Sequence, residues 1–143
     1  MSEQQNVVLV QQAYDAFNRG DISGVVKTLS ENVDWFIPGP EEIIRFAGRR
    51  RGPQQVAEFF SALAETQTAE MFEPRDFIAS QDKVVVLGAQ RWRVNSTGIT
   101  YEDEWAHVFT IENGRITKFQ EYHDTAAEAA AQGHVGRVQS GGS

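Results

Sequence analysis

The chain has 143 residues, which is the length of one domain that can bury a substantial core. It contains no cysteine, which excludes disulfides and thiolate chemistry, and its formal net charge of −7 disfavours nucleic acid as a partner. No apolar run approaches the roughly 18 residues of a membrane span, and the polar N-terminus does not resemble a signal peptide, so we expect a cytoplasmic protein without a membrane partner.

The first half of the chain is predicted to be mainly helical. Apolar residues at helical spacing predict a first helix over residues 4–19. Asp21 is expected to cap a short second helix, and the segment NVDWFI at residues 32–37 is typical of a strand. A third helix is predicted to begin at Gly52-Pro53, because proline suits the first helical position.

An arginine-rich segment at residues 38–52 precedes that third helix and is predicted to be an irregular loop. It contains Arg45 and the run Arg49, Arg50 and Arg51. Two interpretations of this cluster stay open, a solvated loop or a gate for an anionic ligand.

The second half changes to an alternating apolar pattern that predicts four long strands. The four segments are MFEPRDFIASQ, KVVVLGAQRWRV, ITYEDEWAHVFTI and RITKFQEYH, with turns at Gln81-Asp82, Asn95–Gly98 and Asn113-Gly114. Asp124 is expected to cap a last, alanine-rich helix over residues 125–132. Residues 133–143 are Gly/Ser-rich and are expected to form a flexible tail.

This order of elements predicts a single α+β domain over residues 1–132. Helices come first and a meander of antiparallel strands follows, so the helices are expected on one face of a strongly curved, mostly antiparallel sheet. Such a sheet closed by helices makes a cone with a mouth, which is a natural place for a ligand pocket.

The turn at residues 113–114 decides which side chains of the last two strands share a face. A strict two-residue loop pairs Glu112 with Arg115 and places His107 and Glu121 on opposite faces. A three-residue loop shifts the pairing by one residue and places both side chains on one face, diagonal to each other.

Aromatic grouping favours the three-residue loop, in which Gly114 forms a bulge and Ile111 pairs with Arg115. That register gathers on the face of His107 and Glu121 the rings of Trp105, Phe109 and Phe119. Burying one Phe rather than exposing it stabilises a protein by about 1.5–3 kcal/mol, so we predict this bulged register.

Glu121 and His107 are the main candidates for chemistry. A carboxylate on an aromatic face is costly to bury, and desolvation is expected to raise the pKa of Glu121 toward neutrality, which suits a general acid or base. The alternative for Glu121 is a rim carboxylate paired with Arg91 or Arg93. His107 could orient a ligand or transfer a proton, because neutral imidazole donates and accepts, or it could be a core-edge histidine.

Two further residues are candidates for the catalytic set. Tyr14 on the buried stripe of the first helix could point its hydroxyl into the cavity, or could be a core tyrosine. Asp103 is expected on the pocket face as a second acid near the mouth, or as a solvated strand end.

The predicted pocket wall is mostly aromatic. Its residues are Trp35, Phe36, Phe46, Phe59, Gln90, Trp92, Trp105, Phe109 and Phe119. The histidines do not suggest a metal site, because His107 and His123 are expected to face opposite sides or to lie far apart along the strands, and His134 lies in the tail. No phosphate-binding loop or nucleophile elbow is present, so neither metal nor cofactor is expected.

Four segments resemble the SnoaL-like, ketosteroid-isomerase-related branch of the nuclear-transport-factor-2-like superfamily. They are AYDAFNRGDISGV, ENVDWFIPGP, FAGRRRGPQQVAEFFSAL and EWAHVFTIENGRITKFQEYHDTAA, within residues 5–132. The resemblance implies a cystatin-like cone. It implies no single chemistry, since this fold hosts isomerases, cyclases, hydratases, epoxide hydrolases, oxygenase subunits and binders.

The resemblance also separates the related activities by their residues. Related isomerases place an aspartate base where this chain has Phe36, and limonene-epoxide hydrolases have two members of their catalytic set where it has Gly88 and Gln90. SnoaL-type polyketide cyclases use a histidine and an acid on the last two strands, a pattern similar to His107 and Glu121.

Two functional hypotheses follow for the same pocket. The first is a cofactor-free enzyme that isomerises, cyclises or hydrates a small, hydrophobic, carbonyl-bearing molecule. Glu121 would move the proton, and His107 and Tyr14 would hold the developing enolate oxygen. The second is a non-catalytic binder of a hydrophobic small molecule.

The outer sheet face is a candidate for self-association. Ala106, Val108 and Tyr122 are expected to face away from the pocket. The resemblance implies a homodimer through this face, which either function allows.

Overall fold

The structure is a computed structural model that describes residues 2–133, so His134 and all but the first residue of the predicted tail lie outside the described residues. In chain order its elements are α1 (Glu3–Asn18), α2 (Ile22–Val26), β1 (Leu29–Ile37), β2 (Gly48–Arg51), α3 (Gly52–Thr66), β3 (Gln67–Ser80), β4 (Lys83–Val94), β5 (Thr100–Glu112), β6 (Arg115–Tyr122) and α4 (Thr125–Ala131).

The helix starts are fixed by side-chain caps. Ser2 and Gln5 form a capping box at the start of α1. The Asp21 carboxylate accepts from the backbone N–H of Gly24, and Asp124 accepts from that of Ala127, as predicted for both residues. Pro53 lies in the first turn of α3, where the missing N–H costs nothing.

The six strands form one curved sheet in the order β2-β1-β6-β5-β4-β3. All neighbouring pairs are antiparallel except β1 and β6, which run parallel. The helices α1 and α3 pack on one face of the sheet, α1 against β3 and β4 and α3 against β1 and β2. The predicted α+β architecture is therefore confirmed.

One strand was not predicted. Residues 48–51, expected in an irregular loop, form β2 and pair with β1, with Trp35 opposite Arg50. The strand was missed because three consecutive arginines give no alternation of apolar and polar residues. An edge strand tolerates such a sequence, since two of the arginines are exposed.

The pairing register between β5 and β6 changes along the hairpin, so neither of the two registers considered above holds over its whole length. Asn113 and Gly114 both have positive φ (53° and 76°) and form a two-residue turn that pairs Glu112 with Arg115. The pairing then shifts by one residue at Thr117, so the bulge lies in β6 and the prediction of a bulge at Gly114 is wrong.

This displaced bulge still brings the predicted side chains to one face. Beyond Thr117, Phe109 lies opposite Phe119 and His107 lies directly opposite Glu121, not diagonal to it. The observed and predicted registers differ by two residues, and side chains alternate with a period of two, so the shared face is the one predicted.

Candidate active site

A cavity enclosing about 90 Å³ lies between the helices and the concave face of the sheet. Its walls include ten of the residues predicted for the site: Tyr14, Trp35, Phe46, Phe59, Gln90, Trp92, His107, Phe109, Phe119 and Glu121. They come from α1, β1, α3, β4, β5, β6 and the segment before β2, because each element turns its apolar side inward.

Three predicted residues lie elsewhere. Phe36 follows Trp35 in a strand and so points to the opposite face, where the Arg49 guanidinium lies 5.0 Å from the centre of its ring. Trp105 is buried behind the wall and stacks on His107 at 4.0 Å between ring centres. Asp103 lies on the predicted face but is set back from the cavity, where its carboxylate pairs with Gln90 and His123 of the wall.

Trp105 owes its position to a glycine on the neighbouring strand. Gly88 pairs with it, and a Cβ there would lie 2.5 Å from the carbonyl oxygen of Glu73 and closer still to the indole. The absent side chain lets the indole lie flat beneath His107, which fixes the plane of the imidazole.

His107 and Glu121 form a buried pair at the cavity wall. The His107 Nε2 and Glu121 Oε2 atoms are 3.0 Å apart, and the His107 Nδ1 atom is 2.7 Å from the hydroxyl of Tyr14. Burial lowers the pKa of His107, and the neighbouring carboxylate only partly opposes this. A neutral His107 therefore donates from Nε2 to Glu121 and accepts at Nδ1 from Tyr14.

Glu121 is ionised, which corrects the expectation of a raised pKa. Burial raises the pKa of Glu121, but the hydrogen bond from His107 and the positive charge of His123 outweigh it and hold the pKa below its ordinary value. The proposed arginine partners are engaged elsewhere, since Arg91 pairs with Glu102 and Arg93 with Glu70.

Tyr14 remains protonated at neutral pH. Burial and the charge of Glu121 raise its pKa well above 10.0. Its ring stacks on His107 with an interplanar angle of 7°, so both donor and acceptor are held in one orientation.

His123 lines the same cavity as His107, although the two were expected to face opposite sides or to lie far apart along the strands. It follows Glu121 by two residues and therefore lies on the same face. Its Nδ1 is 3.0 Å from Asp103 Oδ2, and its Nε2 is 3.1 Å from Glu128 Oε1 and 3.8 Å from Glu121 Oε1. Burial lowers the pKa of His123, but these carboxylates outweigh it and raise the pKa to about 10, so the ring is an imidazolium.

Asp103 orients this imidazolium rather than meeting a ligand. It accepts from His123, from the Gln90 amide at 2.8 Å and from the backbone N–H of Asp124 at 2.9 Å. Burial raises the pKa of Asp103, but these hydrogen bonds outweigh it and lower the pKa.

Glu128, Tyr101 and Gln67 complete the polar end of the cavity and were not predicted. The Tyr101 hydroxyl donates to Glu128 at 2.9 Å, and the Gln67 amide donates to the same hydroxyl at 2.7 Å. Glu128 is 1% exposed, and its burial raises its pKa. Glu128 is the single charge in the helix TAAEAAA, but an acid in the first turn is also explained by the helix dipole, so the sequence carries no specific signal.

The arginine cluster lies outside the cavity. Arg50 donates to the Phe46 carbonyl at 2.7 Å and lies over the Phe59 ring, while Arg45 pairs with Glu65 at the surface. Among residues 2–133, no group of three or more His, Cys, Asp or Glu side chains is arranged to hold a metal ion. No helix in that range is long and apolar enough to cross a membrane.

The chain belongs to the SnoaL-like domain family, whose model matches residues 10–119. Glu121, His123 and Glu128 lie beyond the matched range. The fold is thus shared with the family, whereas half of the polar end lies in a part of the chain that the family model does not cover.

Similar proteins occur in several bacteria. An NTF2-like protein of Burkholderia xenovorans is 35% identical, with a TM-score of 0.84 over 92% of this chain and 98% of that one. An uncharacterized protein of Mycobacterium tuberculosis is 27% identical over 89% of this chain and 95% of its own length. A Xanthomonas campestris structure named a "putative polyketide cyclase" shares the fold at 23% identity, with a TM-score of 0.74 over 91% of this chain and 98% of that one.

Proposed function

We propose that the protein is a cofactor-independent proton-transfer enzyme that isomerises, cyclises or hydrates a small, hydrophobic molecule with a carbonyl group. The observation that carries this proposal is the ionised Glu121 at the wall of an apolar cavity, held by a neutral His107 at 3.0 Å. The Xanthomonas neighbour named for cyclase chemistry is consistent with it.

Glu121 acts as the base in this proposal. It takes a proton from the carbon beside the carbonyl group, and the surrounding rings exclude water that would otherwise compete. His107 holds the carboxylate in place through Nε2, and its plane is fixed between Tyr14 and Trp105.

Tyr14 is the proposed donor to the developing enolate oxygen. Its hydroxyl lines the cavity and stays protonated, so it can exchange the bond to His107 for one to the substrate. A donor aimed at developing charge in a dry site contributes strongly to catalysis.

A second candidate function is a non-catalytic binder of the same kind of molecule. The observation that favours it is the lowered pKa of Glu121, which makes this carboxylate a weaker base than one with a raised pKa. Both candidates use the same cavity, so the chemistry must be tested directly.

Hydrogen–deuterium exchange on a probe ketone distinguishes the two candidates. Phenylacetone has one ring, a carbonyl group and exchangeable protons beside it. In D₂O we expect the protein to accelerate loss of those proton signals in ¹H NMR above the rate in matched buffer. Exchange at the buffer rate, with saturation transfer showing that phenylacetone binds, would contradict catalysis and favour the binder.

We also propose that the outer face of the sheet forms a homodimer. Leu87, Ala106 and Tyr122 are directly cross-paired on β4, β5 and β6 and make an apolar row away from the cavity. Leu87 is 40% and Tyr122 is 54% exposed, so both side chains are available to pack against a second copy.

Charge placed on this row is expected to separate the copies. Leu87→Glu should shift the mass measured by light scattering from twice the chain mass to the chain mass, because like charges would meet across a two-fold interface. A wild-type mass equal to one chain would contradict the dimer.

A further inference from the structure

The polar end of the cavity has an excess of acidic groups. Glu121 and Glu128 reach its wall and Asp103 lies just behind, against a single imidazolium at His123. Among the described residues that line the cavity, none is Lys or Arg. The cavity therefore favours a positive ligand group over a negative one.

One buried oxygen at this end has no hydrogen-bond partner within residues 2–133, and a second has only an ionic contact. Gln67 Oε1 has no hydrogen-bond partner in that range. The amide cannot turn to offer this oxygen to Tyr101, because the Tyr101 hydroxyl already donates to Glu128 and accepts from the Gln67 amide N–H. Glu128 Oε1 has an ionic contact with His123 at 3.1 Å but no hydrogen bond. Gln67 is 4% and Glu128 1% exposed, and both line the cavity. Buried acceptors of this kind are costly to leave unpaired, so a donor on the ligand would be strongly favoured.

Much of the cavity wall is aromatic. Trp35, Trp92 and Phe119 line the cavity, and ring faces attract cations when both are removed from water. The enclosed volume of about 90 Å³ is small and limits the ligand to a molecule with a single ring.

We propose that the ligand of this cavity is a single-ring molecule that carries a protonated amine, which donates to Gln67 Oε1 and Glu128 Oε1. The inference rests on the proposed function, because it names the substrate class of the same site: a carbonyl compound that also bears an ammonium group. The carboxylates disfavour anionic analogues.

Three probes of matched size test the charge preference. Benzylammonium, benzyl alcohol and benzoate share one ring and differ at the polar atom. Binding to the full chain is measured at neutral pH by calorimetry and by quenching of tryptophan fluorescence, since Trp35 and Trp92 line the cavity. We expect benzylammonium to bind at least tenfold more tightly than benzyl alcohol, and benzoate at least tenfold more weakly.

Single substitutions test whether Gln67 and Glu128 cause the preference for an ammonium group. Glu128→Gln and Gln67→Leu should each weaken benzylammonium at least fivefold and leave benzyl alcohol within twofold. Glu112→Gln, an exposed acid at the end of the hairpin, removes the same charge and should change neither probe. The wild-type order of affinities tests the inference even if Glu128→Gln does not fold.

Equal affinities for benzylammonium and benzyl alcohol, tighter binding of benzoate, or binding of none of the three overturn the inference. Its failure is separable from that of the proposed function. Exchange of phenylacetone protons without an ammonium preference overturns only the ligand class, whereas an ammonium preference without exchange overturns only the proton transfer.

Discussion

Replacing His123 with leucine is expected to lower the free energy of unfolding by about 3–5 kcal/mol, because it leaves buried carboxylates without their counter-charge. The imidazolium lies within 4 Å of Asp103, Glu121 and Glu128, and its side chain is 2% exposed. Urea denaturation followed by tryptophan fluorescence measures the loss, with Glu112→Gln as the control expected to stay within about 0.5 kcal/mol of wild type.

The same imidazolium predicts how stability depends on pH. The pKa of His123 is raised from 6.5 to about 10 in the folded protein, so between these values the folded chain holds a proton that the unfolded chain releases. Its contribution to stability is therefore complete below pH 6.5 and is lost as the pH rises toward 10.

This alkaline loss should be much smaller in His123→Leu than in wild type. Denaturation midpoints measured at intervals from pH 6.5 to 10 give the slope for both proteins. A wild-type free energy of unfolding that stays constant or rises over this range would show that His123 is not held as an imidazolium by its carboxylates.

Replacing Glu121 with glutamine is expected to slow exchange of phenylacetone protons by about 10²–10⁴-fold, the usual contribution of a positioned general base. The amide keeps the size of the side chain and an oxygen that can accept from His107, but it cannot take up a proton. The rate is measured by ¹H NMR in D₂O under saturating phenylacetone.

Two controls separate lost chemistry from lost structure. Glu112→Gln should exchange at the wild-type rate, and Glu121→Gln should bind phenylacetone with an affinity within about threefold of wild type by saturation transfer. The wild-type rate should also fall only in acid, since the lowered pKa keeps Glu121 ionised at neutral pH. Unchanged exchange in Glu121→Gln would remove this residue from the mechanism.

Most of the predicted elements of the fold agree with the structure because each depends on local chemistry. The caps at Asp21 and Asp124 and the position of the turn at residues 113–114, though not its predicted length, follow from local hydrogen-bond and dihedral preferences. The four long strands follow from alternating apolar residues. The edge strand at residues 48–51 was not predicted, because an exposed, charged strand shows no such alternation.

His107 and Glu121 share a face, as predicted, although the turn from which this was predicted is not the one in the structure. The face depends only on whether the register is odd or even, which the aromatic pattern reveals. The position of the bulge at Thr117 is not marked by a glycine, and it decides that the two side chains lie directly opposite each other.

The protonation states could not be predicted from the sequence. The expectation for Glu121 considered burial alone, whereas its pKa is lowered by His107 and His123. The carboxyl group whose pKa is raised is that of Glu128, which lies on α4. The pattern of apolar residues does not predict where this helix packs on the sheet. Such pairings join residues distant in sequence, and only their three-dimensional separation sets the electrostatic energy.

The sequence by itself determined the α+β class, the elements of the cone and the apolar character of its interior, since these depend on periodicity and local capping. Only the tertiary structure decided which polar groups meet inside. The polar groups come from α1, β5, β6 and the segment that follows β6: they are Tyr14, His107, Glu121, His123 and Glu128. Hydrogen bonds act over about 3 Å. These residues can therefore pair only when the sheet has curved and α4 packs against it.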